Sequence, residues 1–141
     1  MEESEALKKL LISKEETTRK IQEMVSKAEK IFKIEKETGR IVFNDYSILT
    51  DLQKVGALLC EKYFAKQVGI KVADALGVTE IAKELHRPAT ALSGPLGELE
   101  KKRGWVEKDP HRKYKVVYYH IDDILDECIN ALSRKKPSKN P

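Results

Sequence analysis

The stretch that decides the fold runs Val78-Thr-Glu-Ile-Ala-Lys-Glu-Leu85, His86-Arg-Pro88, Ala89-Thr-Ala-Leu92-Ser-Gly-Pro-Leu-Gly-Glu-Leu99, Glu100-Lys-Lys-Arg-Gly104, Trp105-Val-Glu-Lys108 and Asp109-Pro-His-Arg-Lys-Tyr-Lys-Val116. Its first part predicts a short helix, Glu80 to Leu85, capped by Thr79, with Ile81, Ala82 and Leu85 on one face. The residue before a proline avoids helical backbone, so His86-Arg87-Pro88 breaks that helix. A second helix is expected from about Thr90 to Arg103, because Leu92, Leu96 and Leu99 recur at steps of four and three. Pro95 has no amide proton, so this helix is expected to be irregular over its first turn or to start as late as Ser93, with Ser93 as cap. Gly104 ends it. Trp105 to Lys108 and Lys113 to Tyr119 then read as two strands around an Asp109-Pro110-His111-Arg112 turn, a β-hairpin with Tyr114, Val116 and Tyr118 on one face.

Outward from this stretch, Ile121 to Leu132 reads as a helix with Ile124, Leu125 and Cys128 on its apolar side, and Asp122 and Asp123 at its positive N-terminal end. Toward the N-terminus, Ser47 or Thr50 is a candidate cap for a helix to about Gln67, with Ile48, Leu52, Val55, Leu59 and Tyr63 on one face. Val68 to Gly77 reads as a connection, and Arg40 to Asn44 as a short extended segment. Glu2 to Glu37 contains no Gly or Pro, which predicts a single long helix stopped by Thr38-Gly39. Leu7, Leu11, Thr18, Ile21, Val25, Ala28 and Phe32 form a heptad-like seam along it, if Lys14 is accepted as an interruption. Leu7, Leu11, Ile21, Val25, Ala28 and Phe32 are therefore candidate homodimer contacts, although the same stripe also suits packing on the chain's own core or a protein partner.

The expected organisation is an amphipathic helix over 1–37, a domain over 40–133, and a disordered basic tail over 134–141. The fold class is mainly α with a small β-hairpin. The order of helix, short helix, break, helix and hairpin resembles the winged helix-turn-helix of MarR- and ArsR-like regulators, in small archaeal form. The residues carrying the likeness are Glu80-Ile-Ala82, Ser93-x-x-Leu96-x-x-Leu99, Gly104-Trp-Val106 and the basic Arg112-Lys-Tyr-Lys115. The resemblance implies a dimeric transcriptional regulator whose two copies meet two half-sites of double-stranded DNA.

Charge gives an independent reading. The net charge is +4, but residues 1–37 are balanced. Within 101–115, Lys101, Lys102, Arg103, Lys108, Arg112, Lys113 and Lys115 face only Glu107 and Asp109. A local excess of this kind suits phosphate contact. The candidate DNA-contacting residues are Arg87, Thr90, Ala91, Ser93, Lys101, Lys102, Lys108, His111, Arg112, Lys113 and Lys115. The face of the second helix offers neither Asn nor Gln, the usual readers of adenine, so backbone contact is favoured over base reading. Two alternatives remain open at this stage, a winged helix turned to protein partners and a nonspecific architectural DNA binder.

Other classes find little support. No Ser-His-Asp constellation, phosphate-binding glycine loop or close set of metal ligands is present, so neither enzyme, cofactor nor metal is expected. Cys60 and Cys128 read as buried thiols. No apolar run approaches the ~20 residues of a membrane span, and the acidic start is unlike a signal peptide, so a cytoplasmic, nucleoid-associated location is expected.

Overall fold

The computed structural model describes residues 13–135. It is mainly helical with two small antiparallel hairpins. In order these are α1 (Lys14–Glu29), β1 (Phe32–Ile34), β2 (Ile41–Phe43), α2 (Asp51–Gln67), α3 (Val78–Leu85), α4 (Ser93–Gly97), β3 (Val106–Lys108), β4 (Tyr114–Val116) and α5 (Ile121–Lys135). No helix among the described residues is long and apolar enough to cross a membrane.

The first expectation to fail is the single helix over 1–37. Helix α1 has its own start at Ser13, whose hydroxyl accepts from the Glu16 amide while the Glu16 carboxylate accepts from the Ser13 amide. It ends at Glu29, and Phe32 pairs with Phe43 in a hairpin in register through Ile34 and Ile41. The reason lies in a change of period. Phe32 and Ile34 alternate with exposed Lys33, as Ile41 and Phe43 alternate with exposed Val42, so each strand turns two side chains toward the core. Gly39 serves the hairpin loop with φ 75° rather than a helix end, and its missing Cβ leaves room for Val72. The separation into 1–37 and 40–133 fails with it: Met24, Ala28, Ile31 and Phe32 are buried in the same core as α2 and α5. At the other end, α5 runs through Lys135, so Arg134 and Lys135 belong to a helix rather than to the expected tail. Residues 1–12 and 136–141 lie outside the described residues, and with them Leu7, Leu11 and the rest of the tail.

Helix α2 is the axis of the fold. Thr50 caps it, in a reciprocal arrangement with Gln53. The sequence places one apolar face on α2, yet every residue from Gln53 to Lys62 is buried, because α3, α5, β1 and β4 surround it. Gly56 permits the approach of α5, since a Cβ there would lie 2.8 Å from Ile124 Cγ2. Gly56→Val is expected to destabilise the fold by about 2 kcal/mol in a denaturant titration, because overpacking outweighs the modest gain in helix propensity. Cys60 and Cys128 are free and buried. Desolvation pushes the Cys128 thiol up to about 12 and raises Cys60 as well, so both stay protonated and unreactive.

A buried ionic cluster joins the first hairpin to α2 and α3. Lys62 donates to the Gly39 carbonyl at 2.9 Å and to Glu84 Oε2 at 2.8 Å. Glu84 Oε2 also accepts from the Ile41 amide at 2.9 Å. Glu61 is fully buried beside Lys62, with Oε1 3.2 Å from Nζ, yet neither of its oxygens accepts a hydrogen bond. Desolvation raises its carboxyl to about 7 against the opposing pull of Lys62, and Glu84 adds a smaller upward push.

Candidate nucleic-acid interface

The helix pair forms as the spacing predicts, with different ends. Helix α3 starts at Val78 with Gly77, not Thr79, at the cap position, and Glu80 Oε1 accepts from the Gly77 amide at 2.8 Å. His86, in the left-handed region at φ 57°, turns the chain out of α3. A single 3-10 turn, Ala89–Ala91, precedes α4. Ser93 is the first residue of α4 and makes no capping bond, so its expected role as cap is corrected. Pro95 then falls in the first turn, where a missing amide proton costs no helical bond. From Glu98 to Lys102 the helix widens to π geometry, and the Arg103 amide donates to the Glu98 carbonyl. Ile81, Ala82 and Leu85 of α3 share the core with Leu92, Leu96 and Leu99. On the opposite side, Thr90 of the 3-10 turn and Ser93 and Gly94 of α4 face solvent, with Ala91 and Pro95 half-buried.

The second hairpin pairs Val106 with Val116 and Lys108 with Tyr114. Its turn is built by Asp109, whose carboxylate accepts from the amides of His111 and Lys113, while Arg112 takes φ 64°. Those backbone bonds hold the Asp109 carboxyl below its ordinary range, with His111 and Lys113 adding smaller charge contributions. β4 is shorter than expected: Tyr118 to His120 form a 3-10 turn, leaving Tyr118 and Tyr119 exposed. The stretch read only as a connection contributes a third edge, because Leu76 and Tyr114 exchange backbone bonds of 2.9 and 2.7 Å. One apolar residue followed by glycine is too short a pattern to announce a bridge in sequence.

The structure divides the candidate residues into three groups. Arg87 is spent inside the fold, with Nε and a terminal nitrogen on the two Asp51 carboxylate oxygens at 2.9 and 3.0 Å. Arg103, counted in the charge excess, is likewise held by Glu98 and Glu127 and lies over the Trp105 ring. Lys101 and Lys102 are exposed at the far end of this segment from Thr90 and Ser93. On the hairpin, Lys108, His111, Arg112, Lys113 and Lys115 are all exposed. Lys113 sits 3.9 Å from Glu80, whereas Lys101, Lys102, Lys108, Arg112 and Lys115 have no ion-pair partner among the described residues. Lys108, Lys113 and Lys115 line one depression with Asp74, Glu107 and Asp109, so acids temper the charge on that flank. Asp74 and Glu80 are distant in sequence, and only folding reveals that they face the hairpin. Trp105 is half-buried and stacked on His120, and Tyr114 packs against the core, in keeping with packing roles.

Of the candidate dimer contacts within the described residues, Ala28 and Phe32 are buried in the chain's own core and are withdrawn from an outer seam, while Ile21 and Val25 remain exposed. Comparisons with protein-family models, with curated proteins and with solved structures find no match.

Proposed function

We propose that the chain binds double-stranded DNA as a winged helix-turn-helix protein, with α3 and α4 as the helix pair and the β3–β4 hairpin as the wing. The observation that carries the reading is the set of unpaired cations, Lys101, Lys102, Lys108, Arg112 and Lys115, around a helix pair whose other arginines are held in ion pairs. Unpaired surface cations release counterions from the phosphate backbone at no cost in broken ion pairs. The side chains exposed just before and at the start of α4, Thr90 and Ser93, are short, which favours backbone and shape recognition over bidentate base reading. A role as transcriptional regulator follows if one duplex is preferred; equal affinity for unrelated duplexes assigns an architectural role.

The test is binding to two unrelated duplexes at two salt concentrations. Arg112→Asn, which tolerates the positive φ, combined with Lys115→Gln should weaken binding on both duplexes and reduce the salt slope by about two units, one per lost phosphate contact. Unchanged affinity and slope would remove the hairpin from the interface. No retention of either duplex by the wild-type chain at low salt would overturn the reading in favour of a protein-interaction module.

A further inference from the structure

A row of aromatic rings leads from the core to the surface beside the basic hairpin. Phe64 and Tyr63 of α2 meet edge-on with ring centroids 5.7 Å apart, Tyr63 lies 5.8 Å from Tyr118, and Tyr118 meets Tyr119 edge-on at 5.7 Å. Burial falls along the row: Phe64 and Tyr63 pack against the core, Tyr118 is exposed, and Tyr119 is 84% exposed. The backbone under the outer two is fixed, because Val116 before them and Ile121 after them are buried and the His120 amide donates to the Val117 carbonyl at 2.9 Å. Tyr119 is therefore a large ring on a fixed backbone that adds little to the core, since most of its surface stays in water.

Asp74 joins this row to the hairpin's cations. It sits 3.6 Å from Lys66 and lines one depression with Lys108, Lys113 and Lys115. It is also near Tyr63, whose hydroxyl is raised by burial, then by Tyr118 and Asp74. Lys115 comes four residues before Tyr119, at most ~14 Å along the chain, and like Lys108 it has no ion-pair partner among the described residues. The acids that follow Tyr119 are engaged, Asp122 with Lys27 at 3.4 Å and Asp123 with His120 at 2.8 Å. The other large apolar side chains exposed among the described residues, Ile21, Val25, Val42 and Val68, lie on neither the second hairpin nor the start of α5. Two rings flanked by charge make a poor apolar centre for a protein interface. They suit a strand of nucleic acid, whose phosphates follow lysines while its bases stack on aromatic rings. In a duplex the bases are already stacked on one another, so the base that meets Tyr119 is an unpaired one.

The geometry points to a single-stranded nucleic-acid site, with an unpaired base stacked on Tyr119 and the adjoining phosphates on Lys115 and Lys108. This rests on the proposal that the second hairpin meets phosphate, and it makes no use of α4. The test follows the anisotropy of labelled strands titrated with the full chain: a short oligothymidylate, the matching oligouridylate, an abasic strand of equal length and a duplex. The wild-type chain should bind a base-bearing strand more tightly than the abasic one, and the tighter of the two base-bearing strands assigns the site to DNA or RNA. Tyr119→Ala should weaken that binding about tenfold, the effect of one stacked base. The salt slope should stay the same, because no phosphate contact is lost. Tyr119→Phe should bind as the wild type does. On the abasic strand and the duplex, Tyr119→Ala should match the wild type, a pattern that a folding defect would not give. An equal loss on the abasic strand, or no loss on any strand, overturns the proposal. Retention of the duplex without either base-bearing strand overturns it while leaving duplex binding in place. Retention of a base-bearing strand without the duplex, with the Tyr119→Ala loss, supports it and removes the helix pair from function; retention of neither overturns both.

Discussion

Lys62→Met is expected to destabilise the fold by about 3–5 kcal/mol, the usual cost of removing one member of a buried ionic cluster. In thermal unfolding this corresponds to roughly 10 °C or more. The hydrophobic stem of lysine is preserved by methionine, so the loss reports on the ammonium. That group serves the Gly39 carbonyl and Glu84 and lies beside the otherwise unpartnered Glu61. Without it, two carboxylates face each other in the interior and the first hairpin loses its tie to α2. Replacing the neighbouring charge as well, Lys62→Met with Glu61→Leu, should recover much of the loss, since apolar groups of similar volume substitute well for buried ions. A double variant as unstable as the single one would show that the hairpin tie, rather than the orphaned carboxylate, dominates.

Glu61 carries the second large effect, a dependence of stability on pH. Its carboxyl is raised from an ordinary 4.5 to about 7 in the folded chain. Below pH 4.5 both states hold the proton and the contribution is fully present. Between pH 4.5 and 7 the unfolded chain loses its proton while the folded chain keeps it, so stability falls as pH rises, by up to about 1.4 kcal/mol per unit. Across the window this amounts to roughly 3 kcal/mol. Glu61→Gln removes the titrating group and keeps the shape. The difference in unfolding free energy between wild type and variant should therefore change across pH 4.5 to 7 and level off above it. A constant difference would mean that Glu61 is charged throughout and fully compensated by Lys62.

How much was legible in the sequence depends on the range of the interactions involved. The α3–α4 pair, the hairpin and α5 are written in local patterns: leucines at steps of four and three, proline and glycine as stops, and alternation around Asp109. The N-terminal region misleads for a specific reason. Ala28 and Phe32 are four residues apart, so they extend a helical seam, while Phe32 and Ile34 are two apart and start a strand. Both periods are present, and pairing with Ile41 and Phe43, beyond the reach of any helix, decides between them. Helix α2 hides its burial in the same way. Glu61 and Lys62 lie off the apolar face of Leu52, Val55, Leu59 and Tyr63, and only the packing of α3 and the first hairpin over them makes them interior.

The candidate interface divides along the same line. Sequence alone determined that basic residues collect between Lys101 and Lys115 and that the start of α4 carries short side chains, because composition and spacing are properties of the chain. Which cations are left for a partner was decided by tertiary structure. Arg87 finds Asp51 across 36 residues, and Arg103 finds Glu127 across 24. An ion pair depends on a distance of a few ångströms in space, and separation along the chain does not set that distance until the core has formed.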